Sequence, residues 1–484
     1  MGESKWYDWH YFESSAPQAS DSPLHPLLNS WDDLERRERA LSIESGRPFL
    51  LRPDFSPDID VLQYFGNPTF RRLAPLTRKS YALSLRELLS YLESQSVDWR
   101  LMSSDHVLDY ENWRRRDQEN DDRLASGATF SRELAAFRHF LKWATARDLV
   151  YVDLEVLKAL RPSNARAHDV KWLAPEAYAL WRNVGMRGYG RNGLADAKFR
   201  GRNKTRNASF TEVMWRSGLR LREAGTLLLP EVPSRPLPGR FLAESRVGDA
   251  VAKGPGRKFW LERAGVAAAE AYKRTARALS VAHAQAQGRY AHLTGLMIIE
   301  RISKRGHIEY RDESGNRGKV SLDNLDAHSR ERVFIESEGK LEPAMLWLTE
   351  SGMPMKYASW QMVFYEADQR CARNGLEELS CSPHTLRHSF ALKWLVVSLY
   401  ILDQHFNITP EQREYYRKQF GDGYEFVQRL LGHRSSQTTR DIYLAPAKDL
   451  PIEILLRKDA KFHSPKDLMD VITGASPRVQ GVPE

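Results

Sequence analysis

The chain has 484 residues, 42% apolar and 28% charged, which suits two or three globular domains and excludes wholesale disorder. Lysine and arginine number 72 against 63 acidic residues, and the net +9 favours a polyanionic partner such as nucleic acid without specifying fold or chemistry. Two cysteines, Cys371 and Cys381, exclude a disulfide scaffold and a CxxC zinc pair, and the most apolar stretch, Leu395 to Leu402, falls well short of the ~20 residues of a membrane span.

Met1 to Trp6 has no apolar signal core, and Trp6 stands where a myristoylation motif wants Ser or Thr, so a cytoplasmic protein without membrane contact is expected. Residues 1–57 mix Pro, Ser and charge and read as an N-terminal arm with one helix near Trp31 to Ala40. From Thr77, an expected N-cap, Tyr81, Leu85, Leu88, Leu89 and Leu92 recur at helical spacing, a stripe that reads as core rather than as a base-stacking platform. Leu134, Phe137, Phe140 and Leu141 mark a second long helix from about Ser131, and a shorter one near Ser104 to Trp113 completes a helical bundle over 58–160.

Arg161 to Val170 is short, basic and contains Pro162, so 161–173 reads as a linker to a second domain over 174–449, whose first helix is led by Pro175. Arg182 to Asn207 carries six Arg, two Lys and five Gly against one Asp, the composition of a flexible cationic loop rather than a core element. It is either a solvated charge run or a contact for DNA phosphates. Helix is expected again from Ala208, and 240–263 reads as strands around the turn Gly254-Pro255-Gly256. Short alternating runs over 297–350 suggest inserted strands, and helices resume at Trp360. A tail over 450–484 opens with an apolar helix at Leu450 to Leu456. The expected fold class is mainly α with a small β-sheet in the second domain (α+β).

Five separated stretches of the second domain carry reactive side-chain types. Ser217-Gly218-Leu219-Arg220 precedes a helix that includes Glu223, and Lys253 sits beside the Gly-Pro-Gly turn, with Lys258 a rival on the same hairpin. In Ser382-Pro383-His384-Thr385-Leu386-Arg387-His388, Ser382 is an N-cap and Pro383 enters the first turn, so His384 and Arg387 share a helix face. Leu430-Leu431-Gly432-His433 reads as a helix closed by Gly432 with His433 on the turn, and a short helix follows that carries Tyr443. His384, His388 and Cys381 could suggest a metal, but Thr385 stands where a zincin motif needs Glu, and Arg387 on the same face repels a cation. Taken alone, Tyr443 is a packing residue and His384 a satisfied core histidine.

Taken in order, these stretches resemble the tyrosine recombinases of the phage integrase family. That pattern is an Arg after Ser/Thr-Gly-Leu, a hairpin Lys, His-x-x-Arg, Leu-Gly-His and a terminal Tyr, met here by Arg220, Lys253, His384, Arg387, His433 and Tyr443. The resemblance runs over about residues 75–450, with the upstream bundle similar to the family's core-binding domain. It implies a site-specific DNA recombinase or integrase in which Arg220 and Arg387, assisted by His433, grip the phosphate oxygens. It also implies His384 as base for Tyr443 and Lys253 as acid for the departing 5′ oxygen. A 3′-phosphotyrosyl ester stores the bond energy, so no metal, ATP or other cofactor is expected. Expected partners are double-stranded DNA, three further copies of the chain in a homotetramer on paired DNA sites, and accessory proteins. In the family a segment like the tail docks on a neighbouring protomer. Two features depart from the pattern: Tyr443 stands one residue further from His433 than in many members, and His433 stands 46 positions after Arg387. A type IB topoisomerase-like enzyme, a resolvase and a catalytically silent DNA-binding regulator are the alternatives, although a silent binder gains nothing from a phenol beside two arginines.

Overall fold

The computed structural model describes residues 5–10, 46–117, 124–160, 171–233, 242–303, 306–400, 411, 423–432 and 464–483. They fall into two compact units, 1–168 and 169–484. The architecture is mainly helical with small sheets, as expected.

In the first unit, β1 (Tyr7–His10) pairs antiparallel with β2 (Pro48–Leu51), and Trp6 and Leu50, both from the stretch read as an arm, lie in the core of a helical bundle. The bundle consists chiefly of α1 (Ile59–Gly66), α2 (Pro75–Ser94), α3 (Ser104–Arg115) and α4 (Gly127–Thr145). Thr77 is not the N-cap of α2. Pro75 at the first position sets the start instead, because its fixed φ suits a first turn and its missing N–H has no helical partner there. Ser126 caps α4 by accepting from the Thr129 N–H at 3.2 Å, so that helix begins four residues before Ser131. The stripes Leu85, Leu88, Leu89, Leu92 and Leu134, Phe137, Phe140, Leu141 are buried together. Helix Trp31 to Ala40 lies outside the described residues.

The second unit opens with β3 (Trp172–Leu173) and α5 (Pro175–Trp181), followed by α6 (Lys204–Ser217), α7 (Leu221–Gly225) and the antiparallel hairpin β4 (Leu242–Val247) and β5 (Arg257–Glu262). Helix α8 (Arg263–Tyr272) packs along α6. The insertion forms one five-stranded sheet from β6 (Met297–Ile302), β7 (His307–Arg311), β8 (Arg317–Ser321), β9 (Val333–Ser337) and β10 (Lys340–Pro343), in the order β10-β9-β6-β7-β8. The buried Arg330 anchors it, donating to both Glu231 carboxylate oxygens and to the Thr226 carbonyl. Helices α9 (Trp360–Arg373), α10 (Pro383–Tyr400) and α11 (Gly423–Leu431) follow.

The stretch 182–207 departs from its expectation as a loop outside the core at its two ends, while 188–203 is a mostly exposed loop as expected. Residues 182–187 extend α5 by a wide helical turn that buries Val184 and Met186, and α6 starts at Lys204 rather than Ala208. Its cations are partly spent inside the unit: Arg206 is buried, donates to the Leu348 carbonyl at 2.9 Å and lies over Trp360. Arg370 crosses back to Asp196 at 2.7 Å with its guanidinium over Phe199. Composition counted charges and glycines, whereas the apolar side chains between them decide the packing.

The end of the chain also belongs to this unit. Helix α12 (Pro465–Ala475) leads to β11 (Val479–Gln480), which pairs parallel with β3, and the Trp172 and Ala174 N–H groups donate to the Arg478 and Gln480 carbonyls at 2.9 Å each. Met469, Ile472 and Val479 enter the main core. Residues 450–456, expected as an apolar helix, lie outside the described residues. Ile472→Ala should therefore destabilise the second unit by about 2–5 kcal/mol in chemical unfolding. A change within about 0.5 kcal/mol would show that α12 does not hold the core.

Candidate active site

The site begins at the sharp end of α6. Gly218 closes the helix with φ +62°, and its N–H donates to the Met214 carbonyl at 2.9 Å. A side chain there would also collide with the Phe390 ring, so glycine is required on both counts. The reversal delivers Arg220 as the N-cap residue of α7. Its N–H donates to Glu223 Oε2 at 2.8 Å, and its own guanidinium reaches Glu223 Oε1 at 2.9 Å.

Glu223 is fully buried and collects more than Arg220. Arg257, at the start of β5, donates Nη2 to Glu223 Oε2 at 2.8 Å. Burial alone would raise the Glu223 pKa, but Arg257, Arg387 and Arg220 around it hold the carboxyl below its usual 4.5. Arg257 responds in the opposite sense: burial, with Arg387 and Arg220 nearby, lowers its pKa to about 10 against the pull of Glu223.

Short helix α7 fixes the hairpin a second time. Arg222 donates Nε to the Val251 carbonyl at 2.8 Å and Nη2 to the Ala252 carbonyl at 2.9 Å, which clamps the two residues before Lys253. Lys253 is exposed in the loop between β4 and β5, close enough for its charge to act on His384. Lys258, the rival, pairs with Glu244 across the strands at 2.7 Å.

Helix α10 brings the next two residues. Ser382 Oγ accepts from the Thr385 N–H at 3.1 Å, and the Leu386 N–H donates to the Ser382 carbonyl at 3.1 Å, so Ser382 caps the helix as expected. Arg387 points inward, 1% exposed, and its guanidinium donates to the Gly218 carbonyl and, at 2.7 Å, to the Leu431 carbonyl. It thereby ties the end of α6 to the end of α11. His384 keeps an edge to solvent, yet partial burial and the charges of Arg387, Arg220 and Lys253 hold its pKa below 6.5. Burial and these cations all disfavour the charged imidazolium.

The structure thus brings Arg220, Lys253, His384 and Arg387 into one electrostatic neighbourhood. Gly432 ends α11 with φ +65°, as expected. His433 and Tyr443 lie outside the described residues. Among the described residues, no group of three His, Cys, Asp or Glu side chains could hold a metal ion, and no helix is long and apolar enough to cross a membrane.

Sequence reasoning passed over Glu223, Arg222 and Arg257 as site residues. A signal for Arg257 existed in the strand period: 257, 259 and 261 share one face, and Phe259 and Leu261 are wholly buried, so a cation at 257 points toward the core. Lys258 falls on the alternate face.

Residues 69–148 match the family model of the phage integrase N-terminal SAM-like domain, so the resemblance carried by motifs of the second unit has a counterpart in the first. Among solved structures, the chain is similar to the XerH site-specific recombinase bound to palindromic difH substrate in a post-cleavage complex. The identity is 14% over 77% of each chain, with a TM-score of 0.43. It is also similar to the Tn1549 transposon integrase in complex with transposon right end DNA, at 12% identity over 81% of this chain and 98% of that one, with a TM-score of 0.42. Likenesses this distant carry no chemistry across. No curated protein matches the chain.

Glu223→Gln would leave three guanidiniums around a neutral amide. Breaking a buried ionic group from one side costs about 3–5 kcal/mol, which unfolding curves should register. The lowered Glu223 pKa contributes stability that is present above pH 4.5 and lost as pH falls through its folded value, so the variant should lack part of the wild-type acid transition. Equal acid sensitivity in the two proteins would contradict the assignment.

Proposed function

We propose that the chain is a tyrosine-type site-specific DNA recombinase, with double-stranded DNA as substrate and Tyr443 as nucleophile. The observation that carries this reading is that Arg387, Arg220 and Lys253 all act on His384, while Arg387 and Arg220 also surround the buried Glu223 carboxylate. The first unit's match to a phage integrase domain supports it.

In this reading the Tyr443 oxygen attacks the phosphorus of one DNA strand, and a 3′-phosphotyrosyl ester forms as the bond to the 5′ oxygen breaks. The phenol, with an ordinary pKa of about 10, loses its proton to His384 as it attacks. Negative charge grows on the nonbridging oxygens, where the charges of Arg220 and Arg387 stabilise it, with His433 as a further donor. Lys253 gives a proton to the departing 5′ oxygen. Resealing reverses each transfer when a 5′ hydroxyl of the same or a partner strand attacks the ester. Energy stays in the ester, so the chemistry asks for neither ATP nor a metal. A homotetramer on paired sites, assembled in the cytoplasm with accessory proteins directing it, would let strands from two sites exchange.

Tyr443→Phe should bind DNA normally and give no covalent adduct on denaturing gels, and an adduct that persists would remove Tyr443 as nucleophile. Arg387→Ala and Arg220→Ala should each lower single-turnover cleavage by about 10² or more, the scale for preorganised charge stabilisers. Near-wild-type rates in both would refute the phosphate grip. A substrate with sulfur in place of the bridging 5′ oxygen has a leaving group that needs no proton. It should rescue Lys253→Ala but not Arg387→Ala, and equal rescue of both would exclude Lys253 as the acid. The acid limb of the cleavage profile should fall below pH 6.5, where His384 takes up a proton, and His384→Gln should abolish that limb.

A further inference from the structure

We propose that Arg257 is a positioning residue that locks the Lys253 hairpin and the end of α11 onto the Arg220–Glu223 pair. The activity arm of this inference rests on the recombinase reading, and the structural arm does not.

Arg257 touches three parts of the site at once. Its Nη2 is bound to Glu223, which in turn fixes Arg220 through both backbone and side chain. It stands four residues after Lys253, at the first position of β5, so its anchorage decides where the loop 248–256 leaves the sheet. Its Cδ and Nε lie against Gly432, where a Cβ would overlap them, and Gly432 precedes His433. No other residue type would serve both ends. A lysine lacks the flat guanidinium whose Nε lies against Gly432 while Nη2 bonds Glu223, and a neutral side chain would leave Glu223 with one fewer cation in a buried setting.

The guanidinium is also underused. Nε and Nη1 are buried with no hydrogen-bond partner among the described residues. A buried donor left unmatched costs free energy, so the group is held there by the Glu223 contact and by packing beneath Gly432 rather than by full satisfaction. That arrangement suits a wedge that joins segments distant in the chain.

The test uses the full-length protein with Arg257→Met, Arg257→Lys and the pair Glu223→Gln/Arg257→Met, the last removing both buried charges so that neither is stranded. Hydrogen exchange is measured first, without DNA. Arg257→Met should raise exchange in 248–256 and 423–432 and leave the first unit unchanged; the pair should do the same if the single variant folds poorly. Unchanged exchange in both segments would overturn the proposal, whatever the enzyme does. On DNA, Arg257→Met should bind within about twofold of wild type and cleave about 10²-fold more slowly, the scale for a misplaced catalytic group. Arg257→Lys should recover part of the rate. The bridging 5′-sulfur substrate should restore much of the loss, because a displaced Lys253 no longer matters. Lost DNA affinity with no sulfur rescue would make Arg257 a direct phosphate contact and overturn the positioning role. Failure of the wild-type protein to form any adduct would count against the recombinase reading, and the exchange result would still decide the lock.

Discussion

The Glu223 carboxylate is the constraint on which the rest of the second unit depends. Three guanidiniums, Arg220, Arg257 and Arg387, surround one buried anion, and three positive charges less one negative leaves a surplus of two. In a medium of low effective dielectric such a surplus is tolerated only where each cation finds carbonyls or the carboxylate. Arg387 has Gly218 and Leu431, and Arg220 and Arg257 have Glu223. On the recombinase reading, a phosphodiester bound there would offset one of the two surplus charges.

The elements around it can be read as means of bringing distant residues to that carboxylate. Helix α7 is only five residues long, yet its N-cap, its second residue and its third supply Arg220, the Arg222 clamp on the hairpin loop and Glu223. Helix α10 crosses the ends of α6 and α11 and stitches both with one arginine. The five-stranded insertion is anchored to the same hairpin and to the residue after α7: Arg246 and the Ala250 N–H both bond Asp323, and Arg330 bonds Glu231 and the Thr226 carbonyl. Strand β11 and α12 complete the core beside β3 and α10.

Much of this was legible in the sequence because it rests on local rules. Ser382 before Pro383, Gly218 and Gly432 after helices, and the apolar stripes at three- and four-residue spacing each encode their structure within one or two turns. The ordered motif words pointed to Arg220, Lys253, His384 and Arg387 together. What escaped was non-local. Glu223 and Arg257 are 34 positions apart, and although the strand period turns Arg257 toward the core, it does not name Glu223 as its partner. The basic stretch 182–207 misled because its composition hid Val184 and Met186, which enter the core, and because Arg206 is spent on the buried Leu348 carbonyl. The return of residues 464–483 to β3 had no local signal either, since a two-residue strand has no period to read.

The most direct measurement is peptide mapping of the protein trapped on a nicked suicide DNA substrate. Trypsin cleaves after Arg440 and Lys448, so the covalently attached nucleotide should appear on peptide 441–448, with fragmentation placing it on the Tyr443 oxygen through a 3′-phosphate. Attachment at any other residue, or through a 5′-phosphate, would contradict the account.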